Sequence, residues 1–294
     1  MDRLDCIRIF QKIADYKSFS ETARQLRISP TAVSRAVSEL EAEIGVRLIR
    51  RTTRSVRLTE QGADYLARIR RPLFDLDDAT RAVRGEDSRP RGSLVVTSPV
   101  MFGRSHVMPI ITDMLRAYPE LSVRLILLDR VVRLVEEGVD VAVRIAHLPD
   151  SALRALPLAT VQQVLVASPD YLASRGSPKT VEELALHDLI EFDTVGLNAE
   201  WKRSAPRTQI EPRLLTNSVD ATVEAATQGL GIARLFSYHV AEPLADGKLT
   251  RVLVGNEGED VPVNLVYHGD RQQSSNVKAF FAAAQAAFPD RPAL

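Results

Sequence analysis

Three short amphipathic segments, separated by only a few residues each, fill the first 45 positions of the chain. Apolar residues recur at three- and four-residue spacing from Leu4 to Ala14, which predicts a first helix over residues 2–16. Ser18 and Glu21 match the capping-box pattern, in which each side chain accepts a hydrogen bond from an unpaired amide at the start of a helix. A second helix of about two turns is therefore predicted to follow Ser18.

The third segment begins at Ser29, which can cap a helix, and at Pro30, whose missing amide costs nothing at the first helical position. Gly45 ends the segment. Its buried stripe is predicted to contain Val33, Ala36, Val37, Leu40 and Ile44. Three helices with a tight turn between the second and the third describe a helix-turn-helix, whose third helix presents its outward face to the major groove of DNA.

The outward face of this third helix carries hydroxyl groups and an arginine, which can bond base edges or phosphates. Residues 46–49 and 55–58 are predicted to form the short strands of a wing, and its arginine-bearing tip suits the negative potential of the minor groove. The predicted DNA-binding residues are Ser18, Ser20, Arg27, Ser29, Pro30, Thr31, Ser34, Arg35, Ser38, Arg51, Thr52, Thr53 and Arg54.

The net charge of the chain is zero, but its distribution is uneven. Residues 1–58 hold 12 Arg or Lys and 7 Asp or Glu, a net of +5, whereas residues 59–87 carry −2 and the remaining 207 residues carry −3. A basic module on a mildly acidic body is the distribution expected if only that module meets nucleic acid. A solvated basic loop would give the same charge pattern, and the neighbouring helices favour the nucleic-acid interpretation.

Residues 59–84 predict one long helix, which Pro72 is expected to bend because it removes a backbone hydrogen bond. A heptad seam runs along it through Leu66, Ile69, Leu73, Leu76 and Val83, with Thr80 in the remaining position. A second copy is the natural partner for such a seam on a lone helix, which predicts a homodimer. Packing of this helix on its own body is the alternative. Residues 85–92 are rich in proline, arginine and acidic residues and are predicted to form a hinge.

A chain of 294 residues is long enough for at least two domains. Its single cysteine, Cys6, excludes an internal disulfide and is predicted to pack in the core, so a reducing cytoplasmic location is expected. Acidic residues interrupt the first apolar stretch, and no run reaches the ~18 apolar residues of a membrane helix. Neither export nor membrane insertion is expected.

Strand-like segments alternate with helical ones in the C-terminal body. The predicted strands are Leu94–Thr97, Val123–Leu128, Val141–Ile145, Val164–Ala167, Leu189–Phe192, Gly231–Phe236 and Val263–His268. This alternation predicts a mostly parallel sheet that is covered by helices on both faces. Two such sheets are more plausible than one over a body of this length.

A set of positions at fixed spacing runs through the N-terminal module. It contains Phe10, Ser18-Phe19-Ser20, Ala23, Leu26, Ser29 to Arg35, Leu40-Glu41, Gly45 to Leu48, Arg51 to Arg54, Leu58-Thr59 and Gly62. This order closely resembles the DNA-binding domain of LysR-type transcriptional regulators. Many members have Gln at the position of Pro30. The resemblance therefore does not define the sequence of the operator half-site, but the same docking of α-helix to DNA is expected.

The resemblance continues in the body through the motifs Gly92–Pro99, Asp140–Ile145, Ala167–Leu172 and Gly229–Ile232. It implies two α/β lobes like those of a periplasmic solute-binding protein, with crossovers near Val161 and Val266. The expected fold is α/β, with an α-rich winged helix-turn-helix N-terminal domain and a two-lobed effector domain. The expected boundaries are 1–58 for the DNA-binding domain, 59–87 for the linker and dimerisation helix, and 92–294 for the effector domain. Its lobe one is predicted at 92–161 and 266–294, and its lobe two at 162–265.

Ligands of open α/β sheets bind beyond the carboxyl ends of strands, which locates a candidate effector site. The predicted contacts are Ser98, Pro99, Val100, Met101, Arg144, His147, Asp193, Thr194, Asn217, Ser218, Ala233 and Arg234. Ser98 and Ser218 can equally be simple helix caps, and a structural ion pair is the alternative role for Arg144. If the cations face inward, a small carboxylate is the favoured effector.

Catalytic and metal-binding patterns are missing from the sequence. The five histidines are scattered, and Gly229-Leu230-Gly231 lacks the surrounding dinucleotide fingerprint, so neither a metal nor a cofactor is predicted. The resemblance implies a regulator that binds double-stranded DNA with inverted half-sites as a dimer or tetramer and responds to a small-molecule effector. RNA polymerase is a further candidate partner. A solute-binding protein without DNA, or an enzyme fused to a DNA-binding module, are the alternatives.

Overall fold

The computed structural model describes residues 1–51, 56–84, 89–149, 152–192, 212–255, 260–269, 274–289 and 292–294. The chain divides into two compact units, Met1–Ser88 and Arg89–Leu294. The first unit therefore includes the predicted linker helix as well as the helix-turn-helix. Among the helices of the described ranges, none combines the length and the apolar character that crossing a membrane requires.

The first unit is a three-helix bundle followed by a hairpin and a long helix. Its elements are α1 (Arg3–Tyr16), α2 (Phe19–Leu26), α3 (Pro30–Ile44), β1 (Ile49–Arg51), β2 (Val56–Leu58) and α4 (Glu60–Val83). Ser18 Oγ accepts from Glu21 N at 3.2 Å and Ser29 Oγ accepts from Ala32 N at 3.1 Å, so both predicted helix caps are present. Phe10 lies at the centre of the core with 0% exposure.

Helix α4 runs continuously through Pro72, and its apolar seam divides into two halves. Leu66 and Ile69 pack against the core of the helix-turn-helix. Leu76 and Val83 are 43% and 90% exposed. The N-terminal half of the seam thus packs on its own unit, which is the alternative to dimerisation, and the C-terminal half remains as an apolar surface of the single chain.

The second unit contains two five-stranded sheets. Its elements are β3 (Gly92–Ser98), α5 (Val100–Phe102), a π-helical turn (Gly103–Val107), α6 (Met108–Ala117), β4 (Leu121–Leu127), β5 (Val141–Ile145), β6 (Leu153–Val161), β7 (Gln163–Ala167), α7 (Pro169–Arg175), a 3-10 turn (Glu182–Leu186), β8 (Leu189–Phe192), β9 (Leu214–Thr216), α8 (Val219–Thr227), β10 (Ile232–Phe236), a 3-10 turn (Ser237–His239), α9 (Ala241–Ala245), β11 (Thr250–Val252), β12 (Val261–His268) and α10 (Ser275–Ala287).

The strand order is β4-β3-β5-β12-β6 in the first sheet, which we call lobe one, and β11-β7-β10-β8-β9 in the second, which we call lobe two. The β3, β4 and β5 strands are parallel, and so are β8, β9 and β10. The β12 and β7 strands are antiparallel to their neighbours. Each sheet is therefore mixed where the sequence predicted a mostly parallel one, because the crossover strands enter each sheet in the reverse direction.

The two lobes are joined where strands pass from one sheet to the other. The β6 strand ends at Val161 in lobe one and β7 begins at Gln163 in lobe two, close to the predicted first crossover. The second crossover lies earlier than the predicted Val266, because β12 belongs to lobe one from Val261 onwards. The hydrophobic pattern of Val261–His268 identifies a strand but carries no information about which sheet it joins.

Candidate functional site

The outward face of α3 is accessible, as a recognition helix requires. Thr31, Arg35 and Ser38 are exposed, while Val33 and Ala36 on the opposite side have 0% exposure. Arg35 Nε donates to Glu39 Oε1 at 2.6 Å one turn later on the same face. This ion pair holds the guanidinium along the helix axis, so contact with a base edge requires an exchange of partners.

The root of the wing is tied to the helix-turn-helix by Arg51. Its Nη1 donates to Ser34 Oγ at 3.0 Å, and its guanidinium carbon lies 4.6 Å from the centre of the Phe19 ring. The predicted residues Thr52, Thr53 and Arg54 at the tip lie outside the described residues. Arg51 therefore connects β1 to both α2 and α3.

Glu41 holds α3 against the wing, a role that the sequence analysis did not assign. The residue is only 7% exposed. Its Oε1 accepts from the backbone amides of Leu48 at 2.8 Å and Ile49 at 3.0 Å, and its Oε2 accepts from Arg47 Nη1 at 2.8 Å. The amides at the start of β1 thus find acceptors on the recognition helix, which fixes the angle between helix and wing.

The remaining predicted DNA contacts have two different placements. Ser18 and Ser29 act as helix caps, and Ser29 Oγ also lies 2.8 Å from Thr31 Oγ1. Ser20, Arg27 and Pro30 are exposed. Cys6 is buried near Glu39 Oε2, as predicted for a cysteine that packs in the core, and desolvation raises the pKa of its thiol.

We expect Arg35→Ala to weaken binding to the specific operator by about tenfold to a hundredfold, because one side chain that reads base edges would be lost. Arg54→Ala should weaken binding to all sequences similarly if that side chain meets only phosphates. Competition binding with altered operators measures both. Arg116→Ala, in an exposed ion pair of α6, is the control and should change neither. An equal loss on every sequence for Arg35→Ala would contradict its role in reading bases.

A cleft of about 340 Å³ lies between the two lobes of the second unit. Lobe one contributes the carboxyl ends of its parallel strands, and lobe two contributes Phe192 and Phe236 at the ends of β8 and β10. Of the predicted effector contacts, Ser98, Pro99 and Arg144 line this cleft. The volume lies within the range of small-molecule sites.

Ser98 is the unusual polar group of this cleft. The residue is 1% exposed, and its Oγ has no hydrogen-bond partner among the described residues. Gly103 lies against it, since a Cβ at this glycine would come within 3.2 Å of Ser98 Oγ and 2.2 Å of Leu127 Cδ2. A buried hydroxyl without a partner costs about 1–3 kcal/mol, so it is a natural position for a ligand to bond.

Three charged residues line the cleft: Asp129 and Arg144, which flank Ser98 on either side, and Arg130. Arg144 Nη2 donates to the Val132 carbonyl oxygen at 2.8 Å, and desolvation lowers the pKa of its guanidinium. Asp129 Oδ1 accepts from the Val100 amide at 3.0 Å. Asp129 was not among the predicted contacts, although it directly follows the predicted strand Val123–Leu128.

Tyr238 and His239 complete the lobe-two wall of the cleft, and they were also missed. The Tyr238 ring packs edge-on against Phe102, with 5.5 Å between the ring centres, and burial together with the charge of Asp129 raises its pKa. His239 is 6% exposed, its Nδ1 accepts from the Phe236 amide at 3.3 Å, and burial lowers its pKa to about 3. Both side chains are therefore neutral at pH 7.

The other predicted effector contacts lie elsewhere. Asn217 and His147 are exposed, Ala233 is buried inside lobe two, and Arg234 bonds Gln163 within the same sheet. Ser218 Oγ accepts from Ala221 N at 3.3 Å and so caps α8. Val100 bonds Asp129, as above, and Met101 packs against the core of lobe two. Asp193 and Thr194 lie outside the described residues, and the described part of the chain contains no cluster of potential metal ligands.

Burial of neutral His239 predicts that the second unit loses stability in mild acid. The unfolded imidazole has a pKa of about 6.5, so below that pH the unfolded state binds a proton that the folded state does not. The free energy of unfolding should fall by up to ~1.4 kcal/mol per pH unit between about pH 6.5 and pH 3. Urea denaturation at several pH values measures this slope. His239→Gln cannot be protonated and should flatten the slope; an unchanged slope would assign the acid sensitivity to other groups.

The first unit has a basic wing beside an accessible helix, and the second unit of the same chain has two α/β lobes with a cleft. Together these features define a ligand-responsive DNA-binding regulator. Residues 4–63 match the bacterial regulatory helix-turn-helix of the lysR family, and residues 87–289 match the LysR substrate binding domain. The chain belongs to the LysR family of transcriptional regulators. It is thus a regulator of transcription rather than an enzyme or a solute-binding protein, as the sequence resemblance predicted.

Relatives from several bacteria are similar along nearly the whole chain. The transcriptional regulator CrgA of Neisseria meningitidis (strain 8013) is 32% identical, with 93% of each chain covered. The activator AaeR of Escherichia coli K12 is 31% identical, with 91% of this chain and 88% of AaeR covered. The CrgA structure is 30% identical over 97% of this chain and 99% of its own, with a TM-score of 0.59. Corynebacterium glutamicum OxyR, at 21% identity and a TM-score of 0.70, shares the fold over 97% of this chain and 94% of its own.

Proposed function

We propose that the protein binds an operator of two inverted half-sites as a homodimer, and that a small carboxylate in the cleft between the lobes changes its DNA affinity or DNA bending. Helix α3 would enter the major groove and the wing the minor groove. The exposed apolar half of α4, with Leu76 and Val83, supports pairing with a second copy. Cytoplasmic location and pairing of dimers into tetramers are part of the same expectation.

The regulatory step is linkage between two sites. An effector can bind one arrangement of the lobes or of the dimer more tightly than another. It then changes the free energy of DNA binding by at most the difference between its own binding free energies for the two arrangements. The observation that supports the effector role most strongly is the buried Ser98 Oγ, which has no partner among the described residues and belongs to the lining of the cleft. Arg144, half-buried on the next strand, supports an anionic effector.

A gel-shift measurement with the upstream intergenic DNA of the gene tests the DNA-binding part. Random DNA of equal length serves as competitor at near-physiological salt, and shortened fragments carry one or two half-sites. Preferential binding that requires both half-sites is expected. Binding to all fragments alike, with strong salt dependence, would contradict site-specific recognition of this DNA. Transcription in vitro from the same fragment then tests RNA polymerase as a partner.

Ser98→Ala tests the effector part. We expect this variant to be as stable as the wild type, or slightly more stable, because it removes a buried hydroxyl without a partner. It should nevertheless reduce the thermal stabilisation that small carboxylates give to the full-length protein. Ser218→Ala is the matched control: it removes a helix cap, so it should cost about 1 kcal/mol of stability and leave the carboxylate effect intact. Stabilisation by neutral or cationic compounds alone would overturn the carboxylate proposal.

A further inference from the structure

Three polar side chains stand on adjacent strand ends at one edge of the lobe-one sheet. The β4, β3 and β5 strands are neighbours and parallel, so their carboxyl ends share an edge. In that order, Asp129 follows β4 by two residues, Ser98 is the last residue of β3 and Arg144 lies near the end of β5, and all three line the cleft. Adjacent strands lie ~4.8 Å apart, so β4 and β5 are separated by roughly 10 Å, and β3 with Ser98 lies between them.

The two ends of this row carry opposite charges. Arg144 bonds a backbone carbonyl and forms no ion pair with a described residue. Asp129 likewise bonds only the Val100 amide among the described groups. Arg130, the next residue, also lines the cleft but does not neutralise Asp129, because both of its terminal nitrogens are bonded to Glu137, at 2.9 and 2.8 Å. The cleft therefore offers an attractive position for an anion at one end and a repulsive one at the other.

Between these ends the cleft is apolar and aromatic. Phe192, Phe236 and Tyr238 face it from lobe two, and the ring of Tyr238 is held in place by its edge-on contact with Phe102. His239 adds no charge at neutral pH, because burial keeps its imidazole unprotonated. Flat rings pack well in an offset or edge-on manner against such walls.

We infer that the effector is a ring-containing monocarboxylate with a hydrogen-bond donor at the opposite end of the ring. Asp129 sets this preference, because its carboxylate accepts a hydrogen bond from the donor and repels a second negative charge. The carboxylate meets Arg144 and Ser98 on the neighbouring strands β5 and β3, the ring lies between the aromatic walls, and the donor meets Asp129. The inference rests on the proposed effector role of the cleft.

Calorimetric titration of the full-length protein with four probes tests the inference. 4-Aminobenzoate carries both groups, benzoate lacks the donor, terephthalate replaces it with a second carboxylate, and 4-aminobenzamide lacks the negative charge. We expect 4-aminobenzoate to bind about tenfold more tightly than benzoate, and terephthalate and 4-aminobenzamide to bind at least about tenfold more weakly than 4-aminobenzoate.

Asp129→Asn isolates the charge, since the amide oxygen can still accept from the Val100 amide and the side-chain shape is kept. In this variant, terephthalate should come within about threefold of benzoate. Asp113→Asn, the same substitution in an exposed ion pair of α6, is the control and should keep the wild-type order of affinities. Arg144→Gln should weaken all three carboxylates and leave 4-aminobenzamide unchanged.

Equal affinities for the three carboxylates, or an unchanged order in Asp129→Asn, would overturn the role of Asp129. If none of the four probes binds, the inferred ligand class is wrong. In that case a wider ligand screen distinguishes a wrong ligand class from a wrong effector site. A different ligand whose affinity falls in Ser98→Ala or Arg144→Gln would keep the cleft as the effector site, whereas ligands indifferent to both variants would also refute the proposed function.

Discussion

Glu41→Ala should destabilise the DNA-binding unit by about 3 kcal/mol, because the buried amides of Leu48 and Ile49 lose their acceptor. Each unsatisfied buried donor costs about 1–3 kcal/mol, and the cavity left by the side chain adds to this. Operator affinity should fall as well, since the wing is no longer held at a fixed angle to α3. Urea denaturation of the full chain, followed by hydrogen exchange of peptides from α3 and β1, measures the stability change.

Two further variants separate the hydrogen bonds from the loss of charge. Glu41→Gln retains an oxygen for the two amides and should cost much less than Glu41→Ala. Glu43→Ala removes a carboxylate two residues later on the same helix, where it forms an exposed ion pair with Arg3 at 3.0 Å. This control should change stability by no more than about 0.5 kcal/mol. Similar losses in Glu41→Ala and Glu43→Ala would show that the buried network does not hold the wing.

Gly62→Ala is expected to destabilise the same unit by about 3 kcal/mol for a steric reason. A Cβ at this position would lie 1.9 Å from the carbonyl oxygen of Leu48 and 2.8 Å from its carbonyl carbon. Both atoms belong to the backbone, so no side-chain rotation relieves the overlap, and α4 must move away from the segment between α3 and β1. The shift would also disturb Thr59, whose Oγ accepts from Gly62 N and donates to Arg47 O.

The neighbouring residue supplies a control for helix propensity. Gln61 is exposed in the same turn of α4, so Gln61→Ala should leave stability within about 0.5 kcal/mol of the wild type. The same hydrogen-exchange measurement compares the two variants. If Gly62→Ala were as stable as Gln61→Ala, or more stable because alanine favours helices, the close approach of α4 to Leu48 would not constrain this position.

The organisation of the first unit was predictable because its signals are local. The capping serines, the proline at the first position of α3 and the glycine after it each act within one turn of helix, and the structure has them where the sequence predicted. The heptad seam of α4 was ambiguous for the same reason. Periodicity shows which face is apolar, but it does not show that Leu66 packs on its own unit while Val83 remains exposed.

The contacts of the candidate effector site could not be predicted from local sequence signals alone. Ser98 and Ser218 have equivalent sequence contexts, each a serine after a strand and before a helix, and both were predicted as contacts or caps. The structure separates them, because Ser218 caps α8 while Ser98 has no partner among the described residues and lines the cleft. Asp129 and Tyr238 reach the same cleft from segments far apart in the chain.

By itself the sequence determined the helix-turn-helix, the positions of most strands and the family, because those features are carried by neighbouring residues or by fixed spacing along the chain. Only the tertiary structure decided the strand order of the two mixed sheets, the point at which β12 returns to lobe one, and which side chains share the cleft. The physical reason is that these features depend on pairings between distant segments. The energy of such a pairing comes from burial and hydrogen bonding with a partner strand, which no local pattern specifies.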